Sequence, residues 1–203
     1  MEQQMATHAD LTNGKIPRVG FGTWKVPNDV CAETVYMAIK NGYRHIDEAL
    51  LYGNEKECGE GIKKAIDEGI VTRADLFITT KLWVHHMKKE HVALCLKKSL
   101  ELLGLDYVDL YLIHFPIAIK YASLDGPALP DPWLQDPKKP EEGPVFEQTP
   151  ISETWAGMED LVTAGLAKNI GVSNFNCLMI RDILTYCKIK PCNLQIEIHP
   201  YLQ

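Results

Sequence analysis

The chain alternates short apolar runs with amphipathic stretches along its 203 residues. Short apolar runs bounded by polar residues predict buried strands, whereas apolar residues spaced three and four apart predict helices. Short connections between such elements are typical of a parallel sheet with helices on its faces. The pattern predicts six strands and five intervening helices, preceded by a hairpin turn at Asn13-Gly14.

The predicted elements follow one another in regular order. The strands span 19–23, 43–47, 76–81, 107–114, 168–173 and 193–197, and the helices span 29–41, 55–68, 90–103, 151–164 and 176–187. Residues 115–150 break this rhythm, because they hold most of the twelve prolines and show no periodicity. Long irregular segments inside a compact domain are commonly functional. We therefore expect a single domain, 1–203, with a long loop at 115–150.

Two parallel-sheet architectures compete. A doubly wound dinucleotide-binding fold begins with GxGxxG, but Gly20-Phe21-Gly22 is followed by Thr-Trp-Lys, so the third glycine is missing. A (β/α)₈ barrel instead carries its chemistry at the carboxyl ends of several strands. Polar residues close the second to fifth predicted strands, and another lies within the sixth: Asp47, Lys81, His114, Ser173 and Gln195. This pattern favours an α/β fold, the (β/α)₈ TIM barrel, with an N-terminal β-hairpin.

Composition excludes several function classes. The net charge of −6 argues against a nucleic-acid-binding surface, and no apolar run approaches the ~18 residues of a membrane helix. The six cysteines are scattered singly, so we expect reduced thiols and a cytoplasmic protein. His85, His86 and His91 lack carboxylates or cysteines at ligand spacing. We expect them to form a polar loop and a helix start, with no metal bound.

Five segments resemble motifs of the aldo-keto reductase family, in the order that the family has them. They are GYRHIDEALLYGNE (42–55), ITTKLW (78–83), LYLIHFP (110–116), KNIGVSNF (168–175) and LQIEIHPYLQ (194–203). The likeness runs from about Gly14 to the last residue, and IHFPIAIKY is nearest to the xylose reductase and aldose reductase branch. The resemblance implies NADPH-dependent reduction of small aldehydes or ketones, with aldoses such as xylose among the candidates. NADH is the alternative cofactor, and we expect the full-length protein to be a monomer or a weak dimer.

The resemblance also gives each strand-end residue a role. Tyr52 is the expected general acid, Lys81 the cation that tunes it, and Asp47 the carboxylate that holds Lys81. A free tyrosine has a pKa near ~10, and a neighbouring ammonium lowers that pKa. His114 is expected to orient the substrate carbonyl and to donate a hydrogen bond to the developing oxyanion.

Further contacts follow from the same resemblance. The expected cofactor-binding residues are Asp47, Thr23, Trp24, Ser173, Asn174 and Gln195. The expected substrate-binding residues are Trp24, Leu51, Trp83, His114 and Phe115. Two positions depart from the usual family pattern. Glu48 stands where the family usually has a small residue such as Thr, and we expect its carboxylate to lie near the Lys81 pair. Phe115 stands where many relatives have Trp, although the xylose reductase branch shares the Phe.

A complete barrel needs eight strands and ~250 residues. The sequence is therefore expected to represent about the first two-thirds of the family fold, truncated after about the sixth strand. The basic residues that relatives use on the 2′-phosphate of NADPH are not among these 203. Two other interpretations stay open, namely a hydrolase using Asp47 and Glu48 and a non-catalytic binding or structural protein. Against the hydrolase, adjacent residues of a strand point to opposite faces.

Overall fold

The computed structural model describes residues 7–125 and 143–202. It begins with an antiparallel hairpin of β1 (His8–Asp10) and β2 (Lys15–Pro17). Gly14 in the connecting turn has a φ of +92°, a backbone conformation that glycine adopts without a steric cost. The hairpin predicted at Asn13-Gly14 is therefore confirmed.

Six parallel strands form one sheet, and each strand pairs with its neighbour in chain order. They are β3 (Phe21–Gly22), β4 (His45–Asp47), β5 (Phe77–Leu82), β6 (Val108–Ile113), β7 (Ala167–Ser173) and β8 (Leu194–Gln195). All six predicted strands are confirmed, although β3, β4, β6 and β8 are shorter than predicted. β3 and β8, of two residues each, lie at the edges of the sheet, where each pairs with only one strand of the described chain.

Five helices follow the first five parallel strands, close to the predicted positions. They are α1 (Asn28–Lys40), α2 (Glu55–Asp67), α3 (Lys89–Leu103), α4 (Ile151–Thr163) and α5 (Cys177–Tyr186). The side chain of Asn176 caps α5 by accepting a hydrogen bond from the Met179 backbone N at 3.0 Å. Within the described ranges, no helix is long and apolar enough to cross a membrane.

The core lies on both faces of the sheet. Every residue of β5 and β6 is buried, as expected for parallel strands that are packed on two sides. Tyr111 and Ile113 join the large core that the sheet shares with the helices. Leu110 and Leu112 alternate with them and pack with Phe77 in a second cluster, which residues of the hairpin region cover. The hairpin region also donates a hydrogen bond to a side chain of β7.

The described part of the predicted long loop begins directly after β6. Ile119 forms an isolated antiparallel bridge with Phe146, and its backbone N donates a hydrogen bond to the Val84 carbonyl at 3.0 Å. Residues 115–125 and 143–150 contain no helix. The remainder of the predicted loop, 126–142, lies outside the described residues.

Candidate active site

The polar residues predicted at the strand ends come together at one rim of the sheet. Asp47 ends β4, Lys81 is the penultimate residue of β5, and His114 directly follows β6. Because these strands are parallel neighbours, their carboxyl ends meet at the same edge. Lys81 donates hydrogen bonds to Asp47 and to Tyr52, and the ring of Tyr52 contacts the ring of His114.

The ammonium of Lys81 is the centre of this cluster. Its Nζ donates to Asp47 Oδ1 at 2.6 Å, to the Glu48 backbone carbonyl at 2.8 Å and to Tyr52 OH at 3.0 Å. The side chain is 1% exposed, and a buried charge requires an ionic partner and hydrogen bonds of this kind. Burial lowers the pKa of Lys81, but Asp47 and Tyr52 together bring it above its ordinary value. Lys81 is therefore charged at neutral pH.

Tyr52 reaches Lys81 from a short 3-10 turn, Leu50–Tyr52, which Gly53 ends with a φ of +69°. Burial raises the pKa of Tyr52, the charge of Lys81 lowers it, and the result lies above the ordinary value. The expected effect of Lys81 on the pKa of Tyr52 is therefore present, but it does not bring that pKa below its ordinary value in the protein alone. The positive charge of Lys81 lowers the pKa of Tyr52, but the burial of the phenol, which disfavours the charged phenolate, raises it by more. Tyr52 thus keeps its proton at neutral pH.

His114 lies against Tyr52, with ring centroids 5.8 Å apart in an edge-to-face arrangement. Its ring also meets Trp83 edge-on at 5.9 Å and stacks on Phe115 at 4.8 Å. Burial, followed by the charge of Lys81, lowers the pKa of His114 to about 3. The imidazole is therefore neutral, with one donor and one acceptor nitrogen. Its Nδ1 has no hydrogen-bond partner among the described residues.

Two primary amides reach the same rim from the ends of β7 and β8. Gln195 Nε2 donates to Asp47 Oδ2 at 2.7 Å, so both oxygens of this carboxylate have partners. Asn174 Nδ2 donates to the His114 carbonyl at 2.8 Å and to Ser173 Oγ at 3.2 Å. The φ of Asn174 is +62°, a conformation that is uncommon outside glycine. Sparsely populated backbone conformations of this kind cluster at functional sites.

The fold and the sequence both match a known family. The family model described as "Aldo/keto reductase family" matches residues 18–203. The chain belongs to the aldo/keto reductase family. The 4-dihydromethyl-trisporate dehydrogenase of Mucor mucedo is 53% identical over 191 residues, which are 94% of this chain and 58% of that protein. An NADPH-dependent aldose reductase of Saccharomyces cerevisiae is 50% identical over 200 residues, which are 98% of this chain and 61% of that protein.

Solved structures agree with this assignment. The aldose reductase from Schistosoma japonicum is 41% identical with a TM-score of 0.86, over 96% of this chain and 62% of that one. The aldo-keto reductase of Bombyx mori in complex with NADP is 40% identical with a TM-score of 0.81, over 95% of this chain and 58% of that one. The predicted family and fold are confirmed. The described strands and helices of this aldo/keto reductase form part of a (β/α)₈ barrel, and the chain spans about three-fifths of the length of its relatives.

In this aldo/keto reductase, the carboxylate of Glu48 is close enough to Lys81 and Tyr52 for its charge to contribute to raising the pKa of Tyr52, as expected for a carboxylate near the Lys81 pair. Only its backbone carbonyl contacts Lys81. The side chain is fully buried behind the strand, where Oε2 accepts a hydrogen bond from Thr23 Oγ1 at 2.9 Å. The alternation of side chains along an extended chain separates the carboxylate of Glu48 from that of Asp47. Burial raises the pKa of Glu48 to about 8, and contacts with Cys58 and Thr23 oppose this rise only in part.

A turn after β3 brings Thr23 and Trp24 to the rim. Thr23 is buried and its backbone N donates to the Asp47 carbonyl at 3.1 Å, whereas Trp24 is 62% exposed. Asn54, which the sequence analysis missed, fastens this turn through Nδ2, which donates to the carbonyls of Thr23 and Val26 at 3.0 Å each. An asparagine directly before a helix suggests an N-cap, but the Asn54 side chain makes no capping bond to α2. The position of Asn54 directly before a helix was the one sign in the sequence that its side chain has a structural role. Its bonds to the carbonyls of Thr23 and Val26 could not be predicted from spacing.

The residues predicted to wall the substrate pocket differ in their exposure. Trp83 is 1% exposed and belongs to the core, and only the contact with His114 links it to the rim. Phe115 and Leu51 are half-buried. Phe115 stacks on the His114 ring, and Leu51 precedes Tyr52 in the same turn. Phe115 and Trp83 thus both make ring contacts with His114.

The two adjacent histidines lie in the connection from β5 to α3 and His91 lies in the first turn of α3, as predicted, but the adjacent histidines are buried. His85 and His86 lie in a buried 3-10 turn, Val84–His86, and His85 Nδ1 is 2.7 Å from the Lys120 carbonyl oxygen. Burial lowers the pKa of His86 to about 4, so its imidazole is neutral. The part of the chain that the structure describes contains no group of three or more potential ligands that could hold a metal ion.

Proposed function

We propose that the protein reduces aldehydes or ketones to alcohols with NADPH, and that Tyr52 is the general acid. The observation that carries this proposal is the Lys81 ammonium, which bonds Asp47 and Tyr52 OH at the same time. A carbonyl that receives a hydride at carbon needs a proton at oxygen. A cation that touches the phenol stabilises the phenolate left behind, so the proton is released more easily during the reaction.

The cofactor of this proposal is NADPH, with NADH as the alternative, and it supplies the hydride. Ser173, Asn174 and Gln195 fit the carboxamide of a nicotinamide, because a hydroxyl and two amides offer donors and acceptors side by side. Asp47 would anchor this group through Gln195, and Thr23 with Trp24 would flank it from β3. The names of an NADPH-dependent aldose reductase and an NADP complex among the relatives support the choice of cofactor.

The proton step uses side chains that are already arranged. Tyr52 donates its proton to the carbonyl oxygen as negative charge develops there. Lys81, 3.0 Å from the phenol oxygen, compensates the charge of the phenolate, and Asp47 keeps Lys81 in place. The neutral His114 donates a hydrogen bond to the same oxygen and orients the carbonyl.

The substrate class follows from the relatives and from the rim. A probable NAD(P)H-dependent D-xylose reductase of Aspergillus clavatus is 52% identical to this chain. We therefore infer that aldoses such as xylose are among the substrates. The neutral His114 can bond a sugar hydroxyl, beside the apolar ring of Phe115. All six cysteines are free thiols, which supports the cytoplasm as the compartment, and we expect the full-length protein to be a monomer or a weak dimer.

Oxidation of NADPH with a panel of aldehydes tests this proposal. It is measured on this chain and on a chain completed with the remaining barrel segments of a relative. In the completed protein, Tyr52→Phe should lower turnover by roughly 10²-fold or more, with NADPH binding unchanged, because the hydroxyl acts on the substrate. Tyr43→Phe is the matched control, since Tyr43 lies on the surface just before β4. Turnover kept by Tyr52→Phe would contradict the acid role, and NADPH binding without turnover in the completed protein would favour the non-catalytic alternative.

A further inference from the structure

Two buried thiols meet directly behind the candidate active site. Cys31 lies in the first turn of α1 and Cys58 in α2, and their Sγ atoms are 3.3 Å apart. Neither residue is exposed. A disulfide bond has an S–S length of ~2.05 Å. The two sulfur atoms therefore need to approach by little more than ~1 Å to become bonded.

The packing of α1 against α2 holds the thiols in this position. A Cβ added at Gly61 would lie 2.4 Å from the Ala32 carbonyl oxygen, so the two helices touch with no side chain between them. Ala32 is the neighbour of Cys31 in α1, and Gly61 lies one helical turn beyond Cys58 in α2. The close approach of the two backbones therefore fixes the separation of the thiols.

A carboxyl group lies beside the pair. Glu48 is buried next to Cys58 and Thr23, both of which act on its carboxyl. Oε2 of Glu48 accepts from Thr23, whereas Oε1 is buried with no hydrogen-bond partner among the described residues. Because the pKa of Glu48 is about 8, this carboxyl carries a proton at neutral pH and can pass it on while it takes up another. The hydrogen bond from Cys58 lowers the pKa of Cys31 against the effect of its burial, whereas the pKa of Cys58 is raised.

We propose that Cys31 and Cys58 form a reversible disulfide when the protein meets a hydroperoxide. The Cys31 thiol loses its proton and the thiolate attacks a peroxide oxygen, which breaks the O–O bond and leaves a sulfenic acid on Cys31, and the leaving hydroxide takes up that proton as one water molecule. The Cys58 sulfur then attacks the Cys31 sulfur, and the Cys58 proton passes through Glu48 to the hydroxide that leaves as the second water. Two thiols and one hydrogen peroxide thus give one disulfide and two water molecules.

The test needs only the reduced, folded chain and hydrogen peroxide. After exposure, the remaining thiols are alkylated under denaturing conditions, and the peptides are mapped by mass spectrometry without reduction. We expect a peptide pair that joins Cys31 to Cys58, lighter by two hydrogen atoms and lost again in dithiothreitol. Cys31→Ser and Cys58→Ser should each abolish it. Cys95→Ser is the matched control, because Cys95 is as buried but lies in α3.

Two results would overturn the proposal. One is oxidation of the exposed Cys177 while Cys31 and Cys58 remain fully alkylated. The other is an equal yield of the bond in the folded chain and in a chain unfolded in urea, because the folded geometry would then contribute nothing. The readout is a covalent bond, so this inference does not depend on the proposed reaction.

Discussion

Replacing Lys81 by Met removes the central cation and keeps most of the volume of the side chain. The ammonium lies 3.0 Å from the oxygen of Tyr52 and 2.6 Å from the carboxylate of Asp47. At an effective dielectric constant of ~20, a unit charge at this distance stabilises the phenolate by roughly 5 kcal/mol. The negative charge of Asp47, on the other side of the ammonium, offsets part of this stabilisation of the phenolate. A net loss of about 3 kcal/mol in the transition state corresponds to about 10²-fold in kcat/KM.

The assay is kcat/KM for one small aldehyde as a function of pH, in the completed protein. The general acid must be protonated, so activity falls as pH rises through its pKa. The charge of Lys81 lowers the pKa of Tyr52. In Lys81→Met the pKa of Tyr52 is therefore higher, and the basic limb of the profile should move to higher pH. Lys63→Met is the control, because Lys63 is an exposed residue of α2.

NADPH is titrated in parallel by fluorescence, and its affinity should be nearly unchanged in Lys81→Met. A value of kcat/KM within roughly threefold of the wild type would refute the electrostatic reasoning. A basic limb that moves to lower pH would refute the sign of the effect.

Three further predictions follow from other parts of the molecule. The pKa of Glu48 is about 8 in the folded protein against an ordinary 4.5, so stability should fall as pH rises through this window, because the unfolded chain loses the proton first. Urea unfolding of Glu48→Gln at the two ends of the window should show a smaller fall than the wild type, and equal falls would contradict the assignment. Phe115→Ala, or a shorter 115–150 loop, should change the KM for aromatic aldehydes relative to xylose and keep turnover on a small aldehyde, because Phe115 stacks on His114 without bonding Lys81. A uniform loss of turnover would show instead that this region supports the catalytic groups. Finally, β3 and β8 each pair on one side only within the described chain, so the isolated 203-residue chain should self-associate and bind NADPH weakly. Light scattering and fluorescence titration check this, and a monodisperse monomer with micromolar or tighter affinity would contradict it.

Most of the fold could be predicted because short, mostly apolar runs alternate with amphipathic stretches along the chain. A run such as VDLYLI (108–113) is buried on both faces, so it has no stable place except the middle of a sheet. The polar residue that ends or follows each run must then emerge at the carboxyl rim. This is why Asp47, Lys81 and His114 could be placed together from the sequence.

Depth of burial and contacts between distant elements could not be predicted in this way. The pKa of Tyr52 depends on how far the phenol is buried, and burial outweighs the charge of Lys81. The alternation of side chains places Glu48 opposite Asp47, but its partners come from other elements of the fold. The thiols of Cys31 and Cys58 are 27 positions apart, and only the packing of two helices brings them together.

The order of the strands in the sheet is the same as their order in the chain. Each strand therefore needs only its predecessor as a template, and short separations between pairing segments reduce the entropy lost on closing loops. In a chain emerging from the ribosome, the side chains that we propose for the proton step all belong to the stretch that ends at His114. They can assemble before β7 and β8 have been synthesised. Gln195 arrives last, and it meets an Asp47 whose other oxygen Lys81 already holds.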